Sequence, residues 1–420
     1  MTSKENMRQI VIQQKNRLSV GEKTVRREVL DDIVEWLDDD RVIVLTGLRR
    51  SGKSTLLGQI MSGMGSYGYV NFEDERFLGF DAKNFETLNE VLVEVYENPK
   101  TYFFDEIQNV TGFEVFVRRL QDQGVKVIIT GSNASLLSSE LGTRLTGRYR
   151  AFEVYPFSFT EFLEFKGIAW NRESLYITEE KVRLLNAFRE YLVTGGLPEY
   201  LKNRDAEYVK TLYDNIIYRD IIARYSVRKH RTLKELVNIL VTNMSCQFTY
   251  NSLKKDLGLA NAISVKEYIS YLSSSYMFFE LQRFDYSLRK QLAHPKKAYL
   301  VDAAFKLVAG FNFSENHGRM LENLVFLELK RSGVEIFYHS GTRECDFVIR
   351  DGKKVTGVLQ VCLALNDGNR ERETAGLTEC ARKFGLAEGL ILTLEEEGEM
   401  TADGVRIRIM PVVKWILERR

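Results

Sequence analysis

A chain of 420 residues is too long for a single hydrophobic core, and 44% hydrophobic with 28% charged residues describes a chain folded throughout, in about two to four domains. Lys and Arg number 59 against 58 Asp and Glu, so the net charge of +1 excludes bulk charge as a source of nucleic-acid or membrane binding; any basic surface has to be local. The first residues lack an apolar core of signal-peptide length, no run approaches the roughly 18 apolar residues of a spanning helix, and Cys246, Cys345, Cys362 and Cys380 form no C-x-x-C pair. The expectation is a cytoplasmic protein with reduced thiols and no structural zinc.

Between residues 42 and 155, short apolar runs alternate with helix-patterned segments, the signature of an α/β domain with a mostly parallel sheet. The predicted strands are VIVLTG, YGYVNF, TYFFDE, VKVIITG and FEVYPF. After the first comes Gly47, Leu48, Arg49, Arg50, Ser51, Gly52, Lys53, Ser54 and Thr55, matching G-x-x-x-x-G-K-[ST] between a buried-looking strand and a helix. In such a loop, backbone N–H groups wrap phosphates at a helix N-terminus. Lys53 is placed for the β- and γ-phosphates, and Ser54 for Mg²⁺. The implied ligands are ATP and Mg²⁺.

TYFFDE ends in Asp105, the expected partner of Mg²⁺, and Glu106, the expected polariser of the attacking water. Because YGYVNF intervenes, the carboxylate strand is not expected beside the loop strand, which points to P-loop enzymes with a dedicated catalytic glutamate. VIITGSN ends in Ser132 and Asn133. Asn133 is a candidate sensor of the γ-phosphate or lytic water; a plain strand-ending turn is the alternative. LGTRLTGRYR then offers Arg144, Arg148 and Arg150. A finger supplied in trans, with Arg148 first and Arg144 second, and a solvated basic turn both stay open.

From Ser158 to about Tyr225 the pattern turns helical, with a Gly/Pro break at Gly195 to Pro198, as in a helical lid. Three short helices and a strand pair, MFFELQRFDY and KKAYLVD, then suggest a winged helix. A final module reads helix, three strands, helix, strand, strand. The expected boundaries are 1–157 for the ATPase core, 158–228 for the lid, 229–305 for the winged-helix-like segment and 306–420 for the last domain.

The strings TGLRRSGKSTLL, YVNFEDERF, YFFDEIQNV, TGSNASLLSSELGTRLTGRY, VYPFSFTEFL, GGLPEY and YRDIIARY occur in this order. In them the chain resembles archaeal and bacterial AAA-type P-loop ATPases that carry a C-terminal domain of unknown function. The resemblance implies an AAA+ module with parallel sheet and helical lid, a winged helix, and a C-terminal α/β domain similar to restriction endonucleases. It also marks Glu199 and Asp220 as characteristic positions, for which helix packing or capping is the plainer explanation.

In active endonucleases of that kind, an acidic residue on the first helix, an Asp on the second strand and a Glu-x-Lys on the third hold divalent metal. Glu322 and Asp346 match the first two, and Glu344 or Gln360 are further weak candidates. The third position reads Gln360, Val361, Cys362, lacking both carboxylate and lysine. A hydrolytic metal site needs anionic ligands and a cation, so the domain reads as degenerate. Residues 223–300 hold thirteen Lys and Arg against five Asp and Glu, a local excess of eight. RYSVRKHR and LRKQLAHPKK are the stretches expected to contact DNA or RNA phosphates, with a solvated face as the alternative. Three functions follow: a homo-oligomeric ATPase acting on nucleic acid, an ATP-dependent signalling switch or scaffold with a protein partner, and an ATP-regulated DNA nuclease.

Overall fold

The computed structural model describes residues 3–18, 24–134, 145, 147–308 and 316–419, and the chain packs as two compact units. The first takes Met1–Pro156 together with Ser274–Tyr276, and the second takes Phe157–Ser273 and Met277–Arg420.

In the first unit the chain runs through α1 (Lys4–Leu18), α2 (Val29–Val34), β1 (Val42–Thr46), α3 (Lys53–Ser62), β2 (Gly68–Asn71), α4 (Phe85–Tyr96), β3 (Thr101–Asp105), α5 (Phe113–Asp122), β4 (Lys126–Gly131) and β5 (Tyr149–Glu153). The sheet order is β2-β3-β4-β1-β5 with every pairing parallel, so the carboxylate strand does not pair with the loop strand, but the strand between them is β4, while β2, the YGYVNF strand, lies at the edge. β1 and β3 are buried over their whole length, as unbroken apolar runs require when helices cover both faces. The registers pair Thr46 with Gly131 and Asn71 with Asp105, which brings the C-terminal ends of the strands to one edge. β5 begins earlier than its apolar stretch suggests, because the half-exposed Tyr149 and Arg150 pair with Val42 and Ile43.

β2 is an edge strand, and α1 supplies a substitute neighbour for it. The Gln14 amide accepts a hydrogen bond from Asn71 N (2.9 Å) and donates one to Asn71 O (3.1 Å), as the next strand's peptide would.

The second unit begins with α6 (Phe159–Phe165), α7 (Thr178–Thr194), α8 (Pro198–Asn203) and α9 (Ala206–Asn215), followed by a π-helical stretch at Ile216–Ala223. Ser158 and Glu161 close a capping box on α6. Then come α10 (His230–Thr242), β6 (Gln247–Phe248), α11 (Tyr250–Asp256), α12 (Ala262–Ser274), β7 (Phe278–Gln282), α13 (Leu288–Ala293) and β8 (Lys296–Leu300). The three strands pair antiparallel in the order β6-β8-β7. The remainder is α14 (His317–Arg331), β9 (Glu335–Ser340), β10 (Glu344–Asp351), β11 (Lys354–Val361), α15 (Arg370–Lys383), β12 (Glu388–Thr393), β13 (Gly398–Ala402), β14 (Val405–Pro411) and α16 (Val412–Glu418), on a mixed sheet ordered β13-β14-β12-β11-β10-β9. β13 escapes the apolar-run reading because GEMTA is a largely exposed edge strand. Among the described residues, no helix is long and apolar enough to cross a membrane.

The break at Gly195 to Pro198 is held by a buried acid. Asp302 accepts from Gly196 N (2.7 Å) and Ala304 N (2.9 Å). Gly196 is pressed so closely on the next segment that a Cβ would lie 2.2 Å from Phe157 O. Burial raises the Asp302 carboxyl from 3.8 to about 6, against the pull of those N–H groups. The folded state therefore keeps this proton after the unfolded chain has lost it. The stability it contributes is full below about pH 4 and is lost, to the extent of roughly 3 kcal/mol, as pH rises through about 6. Asp302→Asn should remove that slope in urea unfolding measured from about pH 4 to about pH 6.5; an unchanged slope would refute the assignment.

Candidate functional site

The loop after β1 is shaped by close approach. Gly47 has φ +152°, and a Cβ there would fall 2.1 Å from Val154 O, so no side chain fits. Left-handed backbone at Arg50 (φ 65°) and at Gly52 (φ 97°), the N-cap of α3, curls the loop so that successive N–H groups gather at a helix start, the local geometry that suits phosphate. The buried Arg27 donates to Ser51 O (2.7 Å) and Tyr155 O (2.6 Å), tying the loop to the exit of β5. Arg49 is fastened to Glu73 at 2.8 Å. Lys53 donates to Gly47 O (3.1 Å) and Leu48 O (2.9 Å), and its ammonium lies 3.8 Å from Glu106 Oε1.

Asp105 ends β3 with no exposed surface. Thr130 Oγ1 on β4 donates to its Oδ1, Tyr69 on β2 donates to its Oδ2 at 3.2 Å, and the Ser54 hydroxyl also bonds to it. Burial, with the adjacent Glu106 adding, still holds the Asp105 carboxyl above its usual range. Glu106 goes the other way: burial pushes it up, but Lys53 and then Arg49 outweigh this and keep its pKa low. Glu106 is thus an anion, and its backbone is left-handed at φ 51°, ψ 42°, a conformation that costs a non-glycine residue about 1–3 kcal/mol. Glu106 N is anchored on Thr130 Oγ1 (2.9 Å), and the Gln108 amide donates to Glu106 Oε2. One threonine therefore organises both acids. The donor set fits a hard cation beside phosphate: a buried carboxylate, a hydroxyl on the first turn of α3, and a loop that a Cβ would block.

Ser132 and Asn133 follow β4 and are buried at the same edge. Residues from far along the chain complete this unit. Tyr276, also left-handed (φ 60°), donates to Thr46 Oγ1 at 2.7 Å, and Ser274 O accepts from Ala134 N at 2.8 Å. Arg148 stands elsewhere. Its carbonyl accepts from Val42 N at the start of β1, and its guanidinium pairs with Asp122 at 2.8 Å, at the opposite edge of the sheet from the loop. Arg150 lies over the Trp36 ring. Arg144 lies outside the described residues.

Glu322 on α14 and Asp346 on β10 do meet, and Glu344 joins them, around the ammonium of Lys297 from β8. Gln360 accepts from Asp346 N at 3.1 Å and donates to Glu373 at 2.7 Å. Among the described residues no group of three or more His, Cys, Asp or Glu is disposed to hold a metal. The basic stretch LRKQLAHPKK needs correction: Lys296 and Lys297 are buried, Lys296 donating to Leu292 O and His294 O, so neither reaches a phosphate. Glu199 accepts from Asn203 within α8, and Asp220 is buried in the π-helical stretch.

Arg27, Tyr69, Thr130 and Tyr276 were not singled out from sequence. Each lies in a run that reads as ordinary core or loop, and the sole local hint is the polar Thr130 inside VKVIITG.

Residues 39–163 match the AAA domain family, and residues 185–313 match a domain of unknown function (DUF8612), which precedes the C-terminal sheet module. An uncharacterized protein of Methanocaldococcus jannaschii, MJ1544, is 36% identical over 410 residues, covering 92% of this chain and 90% of that one. An uncharacterized protein of Haemophilus influenzae is 28% identical over 411 residues, covering 94% and 98%. The crystal structure of Cdc6p from Pyrobaculum aerophilum aligns at 12% identity and a TM-score of 0.26, covering 75% of this chain and 95% of that one.

Thr130→Val should strip Asp105 of a donor and leave Glu106 N unpaired in the interior. The expected loss is about 1–3 kcal/mol in unfolding free energy, together with at least a roughly tenfold fall in any nucleotide turnover measured on the folded variant. Unchanged stability and turnover would show that this hydroxyl does not organise the pair.

Proposed function

Because the chain belongs to the AAA+ P-loop ATPase family, we propose that it binds ATP with Mg²⁺ in the loop Gly47–Thr55 and hydrolyses it, coupling turnover to a nucleic-acid partner. The observation that supports this best is the convergence of the phosphate loop, Asp105, Glu106 and Asn133 at the C-terminal edge of one parallel sheet. Loop N–H groups and Lys53 bind the phosphates, and Ser54 and Asp105 would hold Mg²⁺, which would supply positive charge to offset that of the phosphates. Glu106, kept anionic, accepts the proton of the attacking water, and Asn133 orients that water. Arg148 faces away from its own loop, so on this reading it serves the site of a second copy.

For the nucleic acid, support comes from charge and chain connection. Arg228, Lys229, Lys255, Lys266, Arg289 and Lys290 remain exposed in the segment with the basic excess. Residues 274–276, bonded at Thr46 and Ala134, join α12 directly to β7, so displacement at the nucleotide edge passes along the chain into that segment.

Lys53→Ala should lose nucleotide binding, whereas Glu106→Gln should bind ATP and turn it over at least about 100-fold more slowly; normal hydrolysis by Glu106→Gln would remove Glu106 as the base. Turnover should rise with DNA or RNA and lose that rise as salt increases. No response to any nucleic acid would favour the switch or scaffold with a protein partner. Mixing Arg148→Ala with Glu106→Gln should restore activity where the finger acts in trans; no restoration would argue against it.

A further inference from the structure

A second buried charge cluster lies in the other unit, apart from the nucleotide site. Lys297 is 2% exposed, and its ammonium lies 2.8 Å from Glu322 Oε1, 2.6 Å from Glu344 Oε1 and 2.8 Å from Asp346 Oδ1. Each N–H of the ammonium therefore has a carboxylate oxygen. Neighbouring donors add to this: Tyr299, two residues on along β8, donates to Glu322 Oε1 (2.7 Å), Val361 N donates to Asp346 Oδ2 (3.0 Å), and the Gln247 amide donates to Glu344 Oε2. The three acids come from α14 and β10, whereas the cation comes from the three-stranded sheet.

Three carboxylate oxygens converging on one point are what a hard divalent cation asks for, but here the ammonium fills that point, and the acids as they stand are not disposed to hold a metal. An ammonium brings one positive charge to three acids. Burial, then Asp346, accordingly raises the Glu322 carboxyl above its usual range, while the acids hold Lys297 charged. We propose that Lys297 is the built-in cation of this site: its ammonium stands where a divalent metal would bind, so the module excludes Mg²⁺ and Mn²⁺ for as long as that side chain and its charge are present. The missing lysine at Gln360-Val361-Cys362 is thus answered by one more than sixty residues earlier in the chain, positioned to close the site. Among the described residues, no other element supplies a cation to these three oxygens.

The test is Mn²⁺ binding by full-length, nucleotide-free protein, read by electron paramagnetic resonance of the unbound ion. Asp346→Asn variants report which binding belongs to the cluster. Wild type and Asp346→Asn should bind equally, because the wild-type cluster takes no metal. Lys297→Met should gain a further Mn²⁺, at least roughly tenfold tighter than any cluster binding in wild type, and Lys297→Met/Asp346→Asn should lose it. Lys297→Gln, which keeps donors but not charge, is held to the same expectation, and Mn²⁺ should raise the melting temperature of both lysine variants. Should Lys297→Met fold only with Mn²⁺ present, the proposal stands. Asp346-dependent Mn²⁺ binding by wild type would overturn it, as would lysine variants that gain neither Mn²⁺ nor stability from it.

Discussion

The nucleotide unit is organised around one demand, that of the fully buried carboxylate at the end of β3. A carboxyl group withdrawn from water is tolerable only if polar groups replace its hydration. Asp105 obtains them from both sides: Tyr69 on the neighbouring β2, Thr130 on the neighbouring β4, and Ser54 from the first turn of α3. This works because β3 lies between β2 and β4 and all three run parallel, so their C-terminal ends stay level. Moving β3 to an edge, or reversing one neighbour, would leave the acid with donors on one side.

Glu106 inherits its position from the same arrangement. Its left-handed backbone is strained, and Thr130, which also serves Asp105, holds the Glu106 N–H. The two acids differ in outcome although adjacent: burial holds Asp105 high against the pull of its hydroxyl donors, while Lys53 and Arg49 outweigh burial at Glu106 and hold it low. Such splitting of neighbouring carboxyls is what acid–base chemistry uses.

The glycine-rich loop between β1 and α3, the two acids that follow one another at the end of β3 and the break at Gly195–Pro198 were legible in the sequence, since each is signalled by residues contiguous in the chain. Arg27 and Tyr276 were not, because their partners Tyr155 and Thr46 lie far away in sequence and an arginine or tyrosine there has no local signature. The early start of β5 and the strand β13 were hidden by exposure, which removes the apolar runs used to find strands. Charge counting misled in one place. Lys296 and Lys297 raise the apparent basicity of their segment, yet both are consumed inside the protein.

That error points to how differently the two buried acid clusters are resolved. At the nucleotide edge, Lys53 spends hydrogen bonds on Gly47 O and Leu48 O and stands 3.8 Å from Glu106, so its charge biases the acids without capping them. In the second unit, Lys297 spends all three donors on carboxylates at 2.6–2.8 Å, and neighbouring groups take further acceptor positions. A lysine near a cluster keeps it responsive to a ligand that brings its own charge, while a lysine at its centre replaces that ligand. In the roles proposed for them, the same residue type leaves one site open to phosphate and metal and closes the other, and the distance from ammonium to carboxylate decides between them.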